Sequence, residues 1–140
     1  MKKLTQLVYY SISSIKITME VIYDIREISI RNNSKKNITG CLLYHDNVFL
    51  QLLEGENENI DNLYESIQKD KRHSTVTLIM KENVKERMFP GWSMAFHEFN
   101  SGDSNANQFI KNIVFFSENS DKKTKSIGMF WRMAKQIVTK

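Results

Sequence analysis

Residues 38–53 read ITGCLLYHDNVFLQLL and carry the clearest structural signal in the chain. Two runs rich in aliphatic, β-branched and aromatic residues, 38–44 and 48–53, flank the polar triplet His45-Asp46-Asn47. Apolar runs of this length that are separated by a few turn-forming residues are typical of a β-hairpin. The sequence therefore predicts two antiparallel strands in the middle of the chain.

Further elements extend outward from this hairpin on both sides. The predicted elements are, in chain order, a strand over 4–11, a helix from Met19 to near residues 31–33, the two hairpin strands, a helix over 56–68, and strands over 75–80 and 92–99. Glu54-Gly55-Glu56 is interpreted as the turn that starts the second helix, so no general acid or base is assigned there. The order βαββαββ predicts an α+β fold of the ferredoxin-like class, with two helices on one face of the sheet.

Gln51 stands out because it is an amide between Leu50 and Leu52 in the most apolar strand. A buried polar side chain needs a hydrogen-bond partner or a ligand. Tyr9 lies on another predicted strand, where a phenol and an amide can meet on one face of a sheet. A lone strand tyrosine is, however, usually a packing residue.

Residues 101–140 are predicted to form an extension that is separate from the domain over 1–100. A Gly/Asp/Ser/Asn-rich linker over 100–107 precedes two amphipathic helical patterns, near 109–116 and 127–138. These helices are too apolar to stand alone in water, so we expect them to cover the open face of the sheet or another subunit.

Composition excludes several classes of function. The chain has 140 residues, one cysteine (Cys41) and three scattered histidines, which offer neither a disulfide nor metal-ligand spacing. No signal peptide or apolar span is present, which predicts a cytoplasmic protein that does not enter a membrane. The formal net charge of +4 lies in the tail: residues 1–100 hold 13 basic and 13 acidic side chains, and residues 101–140 hold 7 and 3. That distribution argues against a nucleic-acid partner.

The sequence resembles the BLUF domains, which sense blue light using flavin adenine dinucleotide. The resemblance covers residues 4 to about 99 and is specific because several short motifs occur together and in order. These motifs are Leu7-Val8-Tyr9-Tyr10-Ser11, Arg31-Asn32-Asn33, Ile38-Thr39-Gly40, Phe49-Leu50-Gln51-Leu52-Leu53-Glu54-Gly55, Asp70-Lys71-Arg72-His73, Arg87-Met88-Phe89 and Trp92-Ser93-Met94.

The resemblance implies a flavin between the two helices, FAD in the first place with FMN as the alternative. It makes Tyr9 the photoactive tyrosine, Gln51 the glutamine beside the flavin, and Trp92 and Met94 a pair on the fifth strand that is linked to signalling. It places Asn33 on the ring carbonyl and the neighbouring ring nitrogen. The other implied flavin contacts are Ile25, Ser29, Asn32, Phe49, Ile67, Asp70, Arg72 and His73. One position departs from the family, since Ser66 stands where a basic contact is common.

The implied function is that of a photoreceptor without enzymatic activity. Excited flavin would take an electron and then a proton from Tyr9 through Gln51, and the rearranged Gln51 amide would leave a stronger hydrogen bond on the flavin and a red-shifted absorption. Rotation and tautomerisation of the amide both remain open. The resemblance to short family members implies output through a separate partner protein, and a homo-oligomer is expected from general symmetry preference.

Three other functions compete with this interpretation. The main alternative is a non-photoactive ferredoxin-like binding module for nucleic acid or protein, which should show exposed aromatic residues on the sheet and a basic surface. An acylphosphatase-like enzyme would need an arginine-bearing loop, which Ile12–Ile17 lacks. A flavoenzyme would need a substrate pocket, and no GxGxxG fingerprint is present. Locally, Asn32-Asn33 could simply end a helix, and Lys71-Arg72-His73 could be a solvated charge run.

Overall fold

A computed structural model describes residues 3–13, 18–71, 73–98, 108, 111, 131–132 and 134–136. The elements are β1 (Leu4–Ser13), α1 (Met19–Lys35), β2 (Thr39–His45), β3 (Val48–Glu56), α2 (Asn57–Lys69), β4 (His73–Asn83) and β5 (Ala95–Glu98). The five strands form one sheet in the order β4-β1-β3-β2-β5, with α1 and α2 packed on one face. The predicted ferredoxin-like α+β fold is confirmed.

The central hairpin forms because its turn residues accept backbone angles that most residues avoid. Asp46 and Asn47 both have positive φ, 45° and 68°, and pairing runs from His45↔Val48 to Thr39↔Glu54. Consecutive positive φ angles are the geometry of the tight hairpin turns that match the twist of a sheet, and Asn and Asp tolerate them. The polar triplet in the sequence therefore fixes the register of β2 and β3.

Helix α1 begins where the sequence offers a cap. The hydroxyl of Thr18 accepts a hydrogen bond from the backbone N–H of Val21, which satisfies one of the free N–H groups of the first turn. The helix continues to Lys35, two residues beyond the predicted end at residues 31–33. Asn32 and Asn33 therefore lie inside the last turn and do not terminate the helix.

Alternation along the strands builds two separate cores. The helix-side core contains Leu7, Tyr9, Leu42, Phe49 and Leu53, packed against residues of α1 and α2. The opposite face carries a second core, whose buried members include Val8, Leu43 and Leu50 together with Trp131 and Ala134 from the C-terminal part of the chain. Because neighbouring strand residues point to opposite faces, one apolar strand can supply both cores.

Two predicted boundaries are wrong for the same reason. β3 continues through Glu54 and Gly55 to Glu56, where the sequence indicated a turn. The strand continues because Glu54 is fully buried and accepts a hydrogen bond from the Thr39 hydroxyl on β2. β5 begins only at Ala95, so Trp92 and Met94 precede the strand on which the sequence placed them. Contacts with residues distant in the chain determine where β3 ends and where β5 begins. Local sequence patterns do not predict such contacts. Phe99, the predicted end of β5, and the predicted linker lie outside the described residues.

Candidate functional site

Tyr9 and Gln51 lie directly opposite each other on the neighbouring strands β1 and β3. The Tyr9 hydroxyl donates a hydrogen bond to Gln51 Oε1, and the two side chains are only 2% and 6% exposed. A directly opposed pair places two side chains within reach on one face of the sheet. The structure therefore joins the two residues that the sequence singled out.

The other end of the Gln51 amide contacts a third residue. Gln51 Nε2 lies 3.4 Å from the sulfur of Met94, which is 3% exposed. A thioether is a weak acceptor, whereas the phenol holds the carbonyl end of the amide more strongly. The three side chains form a buried row, Tyr9–Gln51–Met94, in which the amide can exchange its two ends without a large change of shape.

Burial controls the protonation of Tyr9. Loss of solvent raises the pKa of the Tyr9 phenol well above its usual range, and the neighbouring Tyr64 and the Asp70 carboxylate raise it further. The Tyr64 ring stands 5.7 Å from the Tyr9 ring and is tilted by 54°. Tyr9 is therefore a neutral hydrogen-bond donor at physiological pH.

A cleft of about 190 Å³ opens between α1 and α2 above this row. Each helix contributes one set of residues with the spacing i, i+3, i+4, i+7, which lies on a single helix face. The two sets are Ile25, Ile28, Ser29 and Asn32 on α1, and Leu63, Ser66, Ile67 and Asp70 at α2 and just after it. Asn33, Leu42, Phe49, Tyr9 and Gln51 complete the lining.

The chemistry of the cleft suits a flat, largely apolar ring with a polar edge. Isoleucine and leucine side chains form its walls, and Ile28 is 47% exposed there. Amide and carboxylate groups of Gln51, Asn33 and Asp70 stand at its floor and rim. A flavin ring has apolar faces and an edge of hydrogen-bond donors and acceptors, so these residues fit it.

Asn33 links the cleft to the segment that precedes β5. Its side chain is 2% exposed, and Nδ2 donates a hydrogen bond of 3.0 Å to the carbonyl oxygen of Ser93. One amide hydrogen and the amide oxygen of Asn33 stay free for a ligand. The adjacent Asn32 also lines the cleft but is exposed to solvent.

Most residues predicted to contact the cofactor line the same cleft. The predicted cofactor contacts found there are Ile25, Ser29, Asn32, Asn33, Phe49, Ile67 and Asp70. Arg72 and the side chain of His73 lie outside the described part of the chain. Trp92 does not line the cleft, and its side chain is 40% exposed.

Four lining residues were not predicted as contacts: Ile28, Leu42, Leu63 and Ser66, the last of which was noted only as a departure from the family. A signal for two of them was present. Ile28 stands three residues after Ile25, and Leu63 stands four residues before Ile67, so each completes a helical face with a predicted contact. Leu42 could have been found from its pairing with Gln51, because opposed residues share one face of the sheet.

Among the described residues, no group of three or more His, Cys, Asp or Glu side chains is arranged to hold a metal ion. Within the same part of the chain, no helix combines the length and apolar character needed to cross a membrane.

Comparison with known proteins identifies the class. The sequence model of BLUF, described as sensors of blue light using FAD, matches residues 4–95. The chain therefore belongs to the BLUF family.

The relatives range from small proteins to large enzymes. Photoactivated adenylate cyclase subunit beta of Euglena gracilis is 34% identical over 92 residues, which cover 65% of this chain and 11% of that protein. The structure titled BlsA photo-activated state is 29% identical with a TM-score of 0.76, over 93% of both chains. The BLUF protein BlrB in its dark state is 25% identical with a TM-score of 0.73, over 91% of this chain and 93% of that one. The chain thus spans about a tenth of the curated cyclases, but nearly all of the two small structures.

Proposed function

We propose that this chain is a blue-light receptor that binds FAD between α1 and α2 and signals to a separate partner protein without catalysing a reaction. The observation that carries the proposal is the buried row Tyr9–Gln51–Met94, of which Tyr9 and Gln51 line the cleft. A redox-capable phenol, an amide with two interchangeable ends and a weak acceptor stand there in sequence. In this arrangement the hydrogen bonds of Gln51 can change and remain changed although no chemical product forms.

The residues that would hold the cofactor follow from the lining of the cleft. Ile25, Ile28, Leu63 and Ile67 would pack on the two faces of the ring, and Asn33 and Gln51 would bond to its polar edge. When bound, the flavin supplies absorption of blue light and, in its excited state, a strong oxidant. Asp70, Arg72 and His73 would contact the remaining polar groups by family resemblance.

Tyr9 would supply the electron and the proton. Its raised pKa excludes loss of the proton alone at neutral pH, so the phenol releases the proton as it loses the electron. The proton would move along the existing hydrogen bond to Gln51 Oε1. When the electron returns to Tyr9, Gln51 would give a proton back to the phenol, and the pair would end with no net oxidation but with Gln51 rearranged by rotation or tautomerisation.

The rearranged amide would pass the change to segment 92–94. Gln51 Nε2 contacts the sulfur of Met94 only while the amide nitrogen points that way. If the oxygen end takes this place, the attraction becomes a repulsion between two acceptors. Segment 92–94 would then shift, and the exposed Trp92 side chain would carry the shift to the surface.

A binding module that uses the sheet surface for nucleic acid fits less well. Val8, Leu43 and Leu50, which face away from the helices, are buried together with Trp131. That face therefore does not offer a sheet of exposed aromatic residues on which bases could stack.

The direct test of the proposed function is flavin loading followed by illumination. Purified protein incubated with FAD should turn yellow and retain the flavin through desalting. Blue light should then shift its absorption slightly to longer wavelength, with return in the dark. Release of the cofactor and mass measurement would distinguish FAD from FMN. A protein that retains neither flavin would contradict the proposal.

A further inference from the structure

Segment 92–94 sends three consecutive side chains in three directions. Trp92 is 40% exposed, Met94 is 3% exposed against Gln51, and Ser93 turns toward the C-terminal end of α1. An extended strand would instead point residues 92 and 94 to the same face. Contacts with other parts of the chain must therefore stabilise this arrangement.

The backbone of the segment is fixed to two other elements. The N–H of Gly40, at the start of β2, donates to the carbonyl oxygen of Trp92 at 3.1 Å. The Asn33 amide of α1 donates to the carbonyl oxygen of Ser93 at 3.0 Å. The first contact fixes the segment at the edge of the sheet, and the second fixes it to the helix that lines the cleft.

A chain of hydroxyl groups makes the third contact, and its direction can be assigned. Ser34 Oγ donates to the carbonyl oxygen of Ile30 at 2.7 Å, one turn earlier in α1. The Ser34 and Ser93 hydroxyl oxygens lie 2.8 Å apart. A serine hydroxyl has one hydrogen, which Ser34 donates to the Ile30 carbonyl oxygen. The Ser34 hydroxyl oxygen therefore accepts its second hydrogen bond from the Ser93 hydroxyl. The order is therefore Ser93 to Ser34 to Ile30.

This hydroxyl chain is poised to open. Ser34 is exposed and Ser93 is half-buried, so water can replace either partner. A hydrogen bond beside water contributes only modestly, whereas the buried contact between Gln51 and Met94 has no such replacement. The hydroxyl chain is thus the attachment of segment 92–94 that water can most readily replace among those described above.

We propose that the Ser93–Ser34–Ile30 hydroxyl chain is a latch that positions Met94 on Gln51, and that its opening allows segment 92–94 to change its arrangement. Ser34 and Ser93 are positioning residues, because neither lines the cleft. The inference that the latch positions Met94 in the unilluminated protein rests on contacts within the chain alone. The inference that illumination opens the latch rests on the function proposed above, because light would act on the latch through Gln51 and Met94.

The test replaces Ser34 with alanine and follows two quantities. The first is hydrogen exchange of the Gly40 amide, which needs no flavin because this N–H is bonded to the Trp92 carbonyl. We expect exchange to accelerate roughly two- to tenfold, the factor that corresponds to one hydrogen bond. The second is dark recovery of the illuminated flavin-loaded protein, which should slow by a similar factor because, without the latch, segment 92–94 returns less readily to the arrangement in which Met94 contacts Gln51.

The direction of the first effect separates the latch from ordinary helix stability. Alanine is a better helix former than serine, so Ser34→Ala should strengthen α1 itself. Faster exchange of the Gly40 amide on β2, while α1 is no less stable, would therefore be explained by the lost contact with Ser93. Lys35→Ala is the control for this measurement, because Lys35 is the exposed neighbour of Ser34 in the same last turn of α1 and does not line the cleft. It should leave Gly40 exchange unchanged.

Two more variants complete the test. Ser34→Thr keeps a hydroxyl and should restore both quantities toward their original values. Ser93→Ala should reproduce Ser34→Ala, and the double variant should go no further than either single one, because both remove the same bond. Unchanged Gly40 exchange in Ser34→Ala and Ser93→Ala would overturn the latch. Absence of any light-induced shift in the unaltered protein would overturn the proposed function, while the exchange result would still decide the latch.

Discussion

At the scale of single residues, the site depends on side chains that are polar and yet fully enclosed. Gln51, Asn33 and Tyr9 are all less than a tenth exposed, and each has a partner. An unpartnered buried polar group costs about 1–3 kcal/mol, so these partners cannot be removed without effect. The site is therefore stable only as a connected set of hydrogen bonds.

Cys41 gives a pH-dependent test of the buried sheet. Burial raises the pKa of the Cys41 thiol well above its usual value, and the nearby Glu54 carboxylate adds to this. Above pH about 8.5 the unfolded chain releases the thiol proton while the folded chain keeps it. The free energy of unfolding should therefore be independent of this group below that pH and fall by about 1.4 kcal/mol per pH unit above it.

The measurement is urea denaturation between pH 7 and pH 9.8, comparing the protein with Cys41→Ala. The alanine variant should be less stable overall but should lose less stability as the pH rises. Equal slopes in the two proteins would show that Cys41 titrates as freely in the folded chain as in the unfolded one. Tyr9 and the other buried tyrosines add their own loss only from about pH 10.

At the scale of elements, a buried carboxylate holds the connection between β4 and β5. Glu54 of β3 accepts hydrogen bonds from the backbone N–H groups of Met88 and Phe89, at 2.7 and 2.6 Å. Arg87 encloses the same carboxylate by donating to the Thr39 hydroxyl and to the Glu54 carbonyl oxygen. The segment that leads to Met94 is thus anchored on the strand that carries Gln51.

Replacing Glu54 with glutamine should destabilise the protein by about 1–3 kcal/mol. The amide has nearly the same volume, but its NH₂ end cannot accept from a backbone N–H, so one donor loses its partner. Thermal or urea unfolding would measure the change. Glu27→Gln, at an exposed position of α1, is the control and should stay within about 0.5 kcal/mol. Similar small effects for both variants would contradict the anchoring role.

The elements also show what a sequence can and cannot reveal. Asp46 and Asn47 encode their turn locally, and the i, i+3, i+4, i+7 sets on both helices encode the walls of the cleft, so both could be predicted. Glu54 was interpreted as a turn residue because its burial depends on Met88 and Phe89, more than thirty positions away. The bend at Ser93 depends in the same way on α1. Such distant partners leave no periodic pattern in the sequence.

At the scale of the whole molecule, the C-terminal part of the chain contributes to the second core. Trp131 is fully buried and meets the ring of Phe89 edge to face, with centroids 6.1 Å apart. Phe89 follows Met88 on the segment anchored by Glu54. The predicted boundary between a domain over 1–100 and an extension over 101–140 stays a proposal, and this contact supports only the packing of Trp131 against the sheet domain.

Trp131→Ala should destabilise the protein by about 3–5 kcal/mol, because it removes a large buried side chain and leaves a cavity. The matched control is Trp92→Ala, which removes the same side chain from a site that is 40% exposed and should cost much less. Denaturant unfolding of both variants gives the comparison. If Trp131→Ala is no more harmful than Trp92→Ala, the C-terminal residues do not stabilise the sheet.

The absorption change on blue illumination, compared between two tyrosine variants, tests the role of the Tyr9–Gln51 pair in the proposed photoreceptor. Tyr9→Phe keeps the ring but removes the hydroxyl that donates to Gln51, whereas Tyr64→Phe alters the adjacent ring without touching that bond. Both flavin-loaded variants should bind the cofactor. We expect the red shift to vanish in Tyr9→Phe and to persist in Tyr64→Phe. A normal, reversible shift in Tyr9→Phe would contradict the central role of the Tyr9–Gln51 pair.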